Sequence, residues 1–403
     1  MIEDRMHDPV TAQDRIATLE SARTLKMARS AHAYVRGNTV KFYEWLAASP
    51  VAGRVPMGPA IWICGDCHLG NLGPLSDGEG HVAVQIRDLD QTVIGNPALD
   101  LIRLGLSLAT AARGSDLPGV TTARMVEEMV EGYAGALRRS DEDAPEPDVV
   151  RSVKRRALGR RWRHLARERM GAAEPRIPLG HKFWALEDAE RAGLTALFED
   201  AGVKRQILSL QPDSADRDVR LIDAAYWMKG CSSLGLLRYA ALIAIKGAKG
   251  RGDYALVDIK EAIAPIAPAA PGAAMPRDPA ERVVAGARAL SPYLGERMIA
   301  GRLLDRSVFI RELAPQDLKL EVEQFSQGQA VKAARYLARV VGKAHARQMD
   351  EAQRGAWRHA LLDHRGTSLD APSWLWDAVV DLSGSHEAGY LEHCRRYALA
   401  NAA

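Results

Sequence analysis

The order of apolar and polar residues predicts a strand–turn–strand–helix block between residues 61 and 113. The apolar run at residues 61–64 leads into a tight Gly-Asp turn, and residues 81–86 alternate as a half-buried strand does. Residues 98–113 are apolar nearly all round except at Arg103, which predicts a buried helix rather than an amphipathic one. This block is the best-defined part of the chain.

The rest of the chain divides into a strand-rich region and helical regions on either side of it. The predicted strands lie at residues 219–229, 236–245, 254–259 and 306–313, and the predicted helices at 1–60, 121–170, 279–290, 329–348 and 357–399. A proline- and alanine-rich linker joins the third of these strands to the helix that follows it. Together these patterns predict an α+β protein.

Composition narrows the class of protein. The chain has 403 residues, of which 47% are apolar and 26% charged, as in soluble globular proteins. Its net charge of +3 is too small to indicate a polyanionic partner, so nucleic acid is not an expected ligand. The first residues lack the pattern of a signal peptide, and no run reaches the roughly 18 apolar residues of a membrane span. We therefore expect a cytoplasmic protein without a membrane partner.

Acidic and amide side chains follow the apolar segments at positions where they can converge. Asp66 lies on the Gly-Asp turn, Asn71 lies five residues later, and Asp88 closes the predicted strand. One carboxylate can orient a hydroxyl while the amide oxygen and the other carboxylate hold Mg²⁺, which prefers oxygen ligands. Such a set suits phosphoryl transfer. The alternative is that these residues only form turns, which favour Asp and Asn.

The motif Gly-Asp-Cys-His-Leu-Gly-Asn at residues 65–71, followed by Asp-Leu-Asp at residues 88–90, resembles a known catalytic core. It is similar to that of the aminoglycoside phosphotransferase and choline kinase branch of the protein-kinase-like superfamily. More closely, it resembles an uncharacterised bacterial family known only as a domain of unknown function (number 2252), whose kinase-like motifs come in a rearranged order. The resemblance extends in patches over most of the chain.

The resemblance implies roles for the residues of this motif. Asp66 would accept or orient the substrate hydroxyl, and Asn71 and Asp88 would hold the metal ion. Asp90 is a possible second metal ligand. The implied cofactors are ATP and Mg²⁺.

Two further residues are expected to support the catalytic loop structurally. Asp100 would accept hydrogen bonds from the loop backbone, and His68 lies within the loop itself. The sequence also departs from the phosphotransferase pattern, because Cys64 replaces the usual histidine before Gly-Asp. That histidine is mainly architectural, so the departure does not exclude activity.

The strand-rich region has the layout of a hairpin that covers phosphates, two strands joined by a glycine-rich turn. Its candidate nucleotide-binding residues are Gly230, Ser232, Ser233, Gly235, Lys260 and Glu281. Lys260 ends the third strand as the phosphate-pairing lysine of kinases does, and Glu281 is its expected ion-pair partner. Lys246 competes with Lys260, and the helix dipole explains Glu281 equally well. Residues 314–317 would form the hinge that meets adenine.

The helix at residues 329–348 resembles the one that precedes the catalytic loop in phosphotransferases, although here it follows the loop. The simplest account is a circular permutation, which chain termini lying close together would allow. The expected fold is a bilobal, protein-kinase-like α+β fold in circularly permuted order. Residues 1–200 and 329–403 would form a helix-rich large lobe, and residues 201–328 a small antiparallel β lobe over ATP. His345 could be catalytic, but its apolar surroundings favour a packed histidine at a helix end.

The most uneven charge distribution lies at residues 151–167. At helical spacing, four arginines share one face, namely Arg156, Arg160, Arg163 and Arg167. They could dock a phosphorylated, carboxylated or nucleic-acid substrate. The alternative is a solvated helix face.

We therefore expect an enzyme that uses ATP and Mg²⁺ to phosphorylate a small molecule or a protein. A pseudokinase, which would bind nucleotide without turnover, is one alternative, and a kinase-like enzyme that transfers AMP is another. The joint presence of Asp66, Asn71 and Asp88 favours an enzyme, since a pure binding module has no need of a base. The acceptor cannot be read from the sequence, because acceptor pockets belong to the site rather than to the fold.

Overall fold

Helices and antiparallel strands occupy separate stretches of the chain, so the structure is mixed α+β, as the sequence predicts. The computed structural model describes residues 12–402 except 78, 139–144, 160–175, 210–217, 231–233, 247–251, 315, 319–325 and 364–370. The helices are α1 (Ala12–Ala28), α2 (Ala31–Gly37), α3 (Thr39–Ala48), α4 (Ala98–Gly114), α5 (Gly119–Arg138), α6 (Asp148–Leu158), α7 (Asp188–Glu199), α8 (Ala201–Ser209), α9 (Pro279–Leu290), α10 (Pro292–Gly295), α11 (Gln327–Ala346), α12 (Glu351–Leu362) and α13 (Ser373–Ala402). The strands are β1 (Ile61–Ile63), β2 (Leu72–Ser76), β3 (Val82–Ile86), β4 (Val93–Gly95), β5 (Phe183–Trp184), β6 (Asp218–Trp227), β7 (Arg238–Lys246), β8 (Gly252–Glu261), β9 (Met298–Leu303) and β10 (Arg306–Glu312).

Six strands form one antiparallel sheet in the order β5–β6–β7–β8–β10–β9. Strand β7 lies inside the sheet, and every residue from Tyr239 to Ile245 is buried. Helix α9 connects β8 to β9 and packs against β9 and β10. Lys260, near the end of β8, is in register with Arg238 of β7 and Phe309 of β10. The central position of β8 therefore holds Lys260 between two neighbouring strands.

Two predicted boundaries in this region differ from the structure. Strand β7 begins at Arg238 rather than at residue 236, because Leu234 and Leu236 form an isolated bridge that closes the loop before it. The sheet also begins before residue 201, since Phe183 of β5 pairs with Trp227 of β6. A pair of residues is too short to give a strand signal in the sequence.

Two short ribbons hold the Gly-Asp turn and the acidic residues that follow it. Strand β1 pairs with β4, and β2 pairs with β3. Strand β3 buries Val82, Val84 and Ile86 on one face, as its alternation predicts. Gly65 has a φ of +73°, and a Cβ at this position would overlap the carbonyl oxygen of Gln91. Glycine is therefore required at the turn that presents the next residue.

Helix α4 is buried along most of its length, which confirms the prediction of a buried helix. Every residue from Ala98 to Ala109 is buried, including the polar residues Asp100, Arg103 and Ser107. The helix packs against α2, α5 and α13. Buried polar side chains need hydrogen-bond partners, so these three must bond to neighbouring elements.

Helices α5 and α11 pack at very close range. A Cβ on Gly132 of α5 would overlap the carbonyl oxygen of Arg335 in α11, and a Cβ on Gly342 of α11 would lie 3.0 Å from the carbonyl oxygen of Tyr133. The missing side chains let the two backbones approach. This approach brings Tyr133 into hydrogen-bonding distance of His345, near the end of α11.

The other helical predictions are met by shorter helices. The region 121–170 contains α5 and α6, with residues 160–170 outside the described part of the chain, and the region 357–399 is divided between α12 and α13. No helix in the described segments is both long enough and apolar enough to cross a membrane.

Gly132→Ala should lower the free energy of unfolding by about 2 kcal/mol or more, because the added Cβ forces α5 and α11 apart. Gly355→Ala in α12 is the matched control, since nothing lies within 4 Å of a Cβ there. Removing a helical glycine at that open position should stabilise the protein by about 0.5–1 kcal/mol. Urea unfolding of both variants measures the difference, and equal effects would contradict the close packing of α5 on α11.

Candidate active site

A cleft with about 700 Å³ of empty space, part of it open to solvent, brings the predicted acidic and amide residues together. Asp66, Asn71, Asp88 and Asp90 all line it. Its other lining residues are Arg23, Gly37, Thr39, Val40, Gln91, Leu236, Glu261, Ala262, Ile263 and Ile266. Four side chains from two separate loops, residues 65–71 and 88–90, therefore share one cleft with residues of the N-terminal helices and the end of β8.

Asp66 is buried and held by two side chains. Its Oδ1 accepts a hydrogen bond from Nε of Arg103 at 2.8 Å, and its Oδ2 accepts one from the hydroxyl of Thr39 at 2.9 Å. Burial raises the pKa of Asp66, and the charge of Arg103 opposes this only in part. Each carboxylate oxygen can accept two hydrogen bonds, so acceptor capacity remains for a third group.

Asn71 is tied to the same loop. Its Nδ2 donates to the backbone carbonyl of Asp66 at 3.0 Å, and its backbone carbonyl accepts from the backbone N–H of Arg87 at 2.7 Å. The second bond connects the loop to the residue that precedes Asp88. Within the described part of the chain, Oδ1 of Asn71 has no hydrogen-bond partner, so this oxygen is available as a ligand.

Asp88 and Asp90 share the ammonium group of Lys260. Nζ of Lys260 is paired with Oδ2 of Asp90 and lies 3.6 Å from Oδ1 of Asp88. Desolvation at the cleft raises the pKa of Asp88, but the charge of Lys260 and other nearby groups outweighs it and holds this pKa well below its usual range. Burial and then the neighbouring Asp88 raise the pKa of Asp90 to about 6. The two carboxylates thus compete for one cation.

An arginine–aspartate network lies behind Lys260. Asp258 accepts two hydrogen bonds from Arg238, at 2.9 and 2.6 Å, and a third from Arg311 at 3.0 Å. Arg311 also donates to the carbonyl of Arg87 at 3.1 Å, which connects the large sheet to the segment between β3 and β4 that carries Asp88 and Asp90. These buried contacts fix the position of β8 relative to Asp88.

Asp100 holds the Gly-Asp turn from the first turn of α4. Its Oδ2 accepts from the N–H of Cys64 at 2.7 Å, and its Oδ1 accepts from the N–H of Gly65 at 2.9 Å. Oδ2 also lies 3.2 Å from Nε2 of His345. Asp100 is fully buried, so these three donors replace the water that would otherwise solvate its charge.

His345 connects Asp100 to a hydrogen-bond network of two further helices. The hydroxyl of Tyr133 accepts from the indole N–H of Trp357 at 3.0 Å and lies 2.8 Å from Nδ1 of His345. The ionised carboxylate of Asp100 can only accept, so Nε2 of His345 carries a proton and donates it to Asp100. His345 is fully buried and does not line the cleft, which agrees with the packed role rather than the catalytic one.

Within the described part of the chain, the predicted nucleotide-binding residues are not among those that line the cleft. Gly230 and Gly235 have φ values of 109° and 105°, and Ser232 and Ser233 lie outside the described residues. Leu236, just after the glycine-rich loop, lines the cleft. The expected Lys260–Glu281 pair is not among the ion pairs of the described residues.

Lys260 has other partners because Asp88 and Asp90 lie closer to it than Glu281 does. Glu281 is exposed in the first turn of α9, where its backbone N–H bonds to the capping residue Asp278 at 3.0 Å. In the expected hinge, Asp317 forms an ion pair with Arg297 at 3.0 Å, so its carboxylate is already used. Residue 315 lies outside the described segments.

The predicted basic face can be followed only at its start. Arg156 is exposed on α6, whereas Arg160, Arg163 and Arg167 lie outside the described residues. Neither the docking interpretation nor the solvated one gains support from the part that is described.

His68 is buried and neutral. Burial, followed by the charges of Arg103 and Arg36, lowers its pKa well below the usual value. Its Nε2 lies 4.0 Å from Oδ2 of Asp66, too far for a hydrogen bond. Its backbone carbonyl accepts from the N–H of Asn71 at 2.8 Å, so the residue contributes to the turn of the loop.

The side chains that hold Asp66, Thr39 and Arg103, were not among the predicted site residues. Thr39 lies in a helix to which no chemistry could be assigned. Arg103 had one signal, because it is the charged exception in an otherwise apolar helix. A buried charge in such a helix requires an opposite charge nearby, and Asp66 is that partner.

Three side chains that could hold a metal ion lie in the exposed turn between β2 and β3. Asp77, Glu79 and His81 offer ligand atoms within 4.8 Å of one another. Asp77 already accepts the backbone N–H groups of Glu79 and His81, at 2.9 and 2.8 Å. Its carboxylate therefore has a structural task in the turn.

Comparison with known proteins identifies the family and nothing further. A family model described as "Uncharacterized protein conserved in bacteria (DUF2252)" matches residues 15–396, so the chain belongs to this family, as its motifs predict. No curated protein and no solved structure matches the chain.

Asp100→Asn should lower the free energy of unfolding by about 2–4 kcal/mol. One of the two acceptor oxygens would become an N–H₂ donor facing the N–H groups that now bond to Asp100, and buried donors would be left unsatisfied. Tyr133→Phe should cost less, about 1–2 kcal/mol, since it removes hydrogen bonds at the far side of His345. Urea unfolding of both variants tests the order. A larger loss for Tyr133→Phe would contradict the central role of Asp100.

Proposed function

We propose that the protein binds ATP with Mg²⁺ in the cleft and transfers the γ-phosphoryl group to a hydroxyl of a small molecule or a protein. One observation carries the proposal. The cleft joins Asp66, Asn71 and Asp88 along one lining, with Lys260 paired to the acids of the β3–β4 segment. Kinase sites combine the same residue types, a base Asp, a metal-binding Asn and Asp, and a lysine on a strand.

The residues present fit a divalent cation. Asp88 and Asp90 are neighbouring carboxylates, and like charges this close disfavour full ionisation of both, a cost that a further cation would relieve. The unpartnered amide oxygen of Asn71 supplies a third oxygen ligand of the kind that Mg²⁺ prefers. When bound, Mg²⁺ would neutralise part of the charge on the nucleotide phosphates.

Lys260 fits the lysine that contacts these phosphates. It lies on β8, the third strand of the β6–β7–β8 meander, and helix α9 follows, which matches the position of the lysine on the third strand of kinases. Its side chain is 4% exposed, and its charge is balanced by Asp88 and Asp90. Phosphate oxygens would provide alternative anionic partners. Glu281, being exposed, has no role in this proposal.

Asp66 would accept the hydrogen bond of the acceptor hydroxyl and orient its oxygen toward the γ-phosphoryl group. The bonds from Arg103 and Thr39 fix the carboxylate in one orientation, which is the positioning that phosphoryl transfer requires. The raised pKa of Asp66 makes it a better proton acceptor than an exposed aspartate.

The proposal includes a kinase-like, bilobal fold in circularly permuted order. In its support, the antiparallel sheet with Lys260 follows the Gly-Asp loop in the sequence, and α11 comes after that sheet. Helix α11 then returns to the loop, where His345 contacts Asp100. A helix that precedes the loop in other phosphotransferases would here reach the same place from the other end of the chain.

A nucleotide-binding module without turnover is the rival function. It is favoured by one observation, that both carboxylate oxygens of Asp66 already accept protein hydrogen bonds. Transfer of AMP is a second enzymatic possibility, since a nucleotide bound in reverse presents its α-phosphate to the same residues.

ATP with Mg²⁺ at about 100 times its Kd should stabilise the wild type by about 2.7 kcal/mol. Asp88→Asn should abolish this stabilisation, because it removes the carboxylate that balances Lys260 and holds the cation. Asp116→Asn is the matched control, in an exposed turn with a φ of 53° that asparagine tolerates. Thermal melts measure all three proteins. Equal shifts in all of them, or none in the wild type, would contradict the proposed nucleotide site.

Asp66→Asn should keep the stabilisation by ATP with Mg²⁺, measured against its own unliganded state, but should lose about 10²–10⁴-fold in transfer. Transfer is followed with ATP labelled at the γ- or α-phosphate and a metabolite extract as acceptor. Product labelled only from the γ-position agrees with the proposal. Product labelled from the α-position would show AMP transfer instead, and full activity in Asp66→Asn would remove Asp66 from the mechanism.

A further inference from the structure

Unpaired nitrogen atoms are grouped near Asp66, in α2, α4 and the loop that follows Asp66. Four side chains, which we call the cationic ring, each have a buried nitrogen without a hydrogen-bond partner among the described residues. These atoms are Nδ1 of His32, Nε of Arg36, Nδ1 of His68 and Nη1 of Arg103. Buried polar atoms are normally paired, so four unpaired ones in one place indicate a missing ligand or water.

A closed series of contacts shows that three members of the ring, Arg36, His68 and Arg103, are neighbours, and His32 lies close enough for the charges of Arg36 and Arg103 to lower its pKa. Arg103 donates to Asp66 through Nε and to the carbonyl of Val35, next to Arg36, through Nη2 at 2.6 Å. The guanidinium of Arg36 lies across Gly70, where a Cβ would come within 2.8 Å of its Cζ. His68, two residues before Gly70, returns to Asp66 at 4.0 Å.

The ring has an excess of positive charge. Arg36 and Arg103 contribute two positive charges, and Asp66 supplies one negative charge. Burial and the two arginines lower the pKa of His32 to about 4 and that of His68 well below its usual value, so both histidines are neutral. Arg36 forms no ion pair or hydrogen bond through its side chain in the described part of the chain. One further negative charge would balance the group.

We propose that the cationic ring binds an oxyanion, a phosphate or carboxylate group carried by the acceptor, and holds it beside Asp66. The ring supplies two arginine donors, with imidazole nitrogens to complete the shell, and arginine is well suited to such groups. The arginines of the ring come from α2 and α4, whereas Lys260 and the metal-binding acids belong to the large sheet and the β3–β4 segment. Asp66 contacts Arg103 of the ring and also lines the cleft with the metal-binding acids. An acceptor hydroxyl at Asp66 would therefore lie between the acceptor's anionic group and the nucleotide.

The proposal deepens the proposed function and rests on it in one respect, that the bound oxyanion belongs to the acceptor of the phosphoryl group. Oxyanion binding itself is measured without nucleotide or Mg²⁺, so it succeeds or fails independently of ATP binding. His386 is excluded from the ring because Nδ1 donates to the carbonyl of Leu382 at 3.1 Å, which leaves Nε2 without a proton. Such an atom repels an anion.

The test is calorimetric titration of the full chain with inorganic phosphate and, separately, acetate, in chloride buffer of matched ionic strength. The wild type should bind at least one of them, and which one it prefers identifies the group that the acceptor carries. Arg36→Gln should weaken binding by about 10-fold or more, because it removes a charged donor. It should leave the unliganded melting temperature unchanged or raised, since Arg36 gives up no protein partner. Arg124→Gln, an exposed position on α5, should bind as the wild type does.

Two results would overturn the proposal. The first is the absence of binding in the wild type or equal binding in Arg36→Gln, which would mean that the ring holds only water. The second comes from repeating the phosphate titration with ATP and Mg²⁺ present. Unchanged affinity agrees with a separate group on the acceptor, whereas competition would assign the ring to the nucleotide phosphates.

Discussion

The geometry of the site depends on the hydrogen bonds that the carboxylate of Asp100 accepts. It is fully buried, and it accepts the backbone N–H groups of Cys64 and Gly65, so the direction in which the loop leaves β1 is fixed from α4. Through His345 the same carboxylate is connected to α11, and from there to α5 and α12. The turn that presents Asp66 is thereby connected by hydrogen bonds to four packed helices, α4, α5, α11 and α12. The position of the candidate base therefore depends on how these helices pack.

Charge is balanced in separate pairs across the cleft. Asp66 is neutralised by Arg103 from α4, and Asp90 by Lys260 from the large sheet. Asp88 is half exposed and lies farther from the lysine, so it is the carboxylate with most freedom to take a new cation. Arg36 is the opposite case, a cation near Asp66 without a partner among the described residues. An anionic ligand on one side and a cation with nucleotide on the other would complete the balance.

The sequence predicted the local structure of the site well because that structure depends on short-range patterns. The alternation in β3, the buried face of α4 and the glycine turn at Gly65 are all local features, and the structure agrees with them. The partners of charged side chains were not predictable in this way. Lys260 pairs with Asp90, 170 residues away, rather than with Glu281, because ion pairs depend on distances in space that no sequence spacing records. Arg103 and Thr39 were missed for the same reason.

The most direct test of the central claim is a crystal structure with a non-hydrolysable ATP analogue and Mn²⁺ in place of Mg²⁺, with the metal located by its anomalous scattering. The account predicts Mn²⁺ bound to oxygens of Asp88 and Asn71, with the nucleotide phosphates in contact with Lys260. Metal found only at the exposed turn of Asp77, Glu79 and His81, with no nucleotide in the cleft, would contradict it.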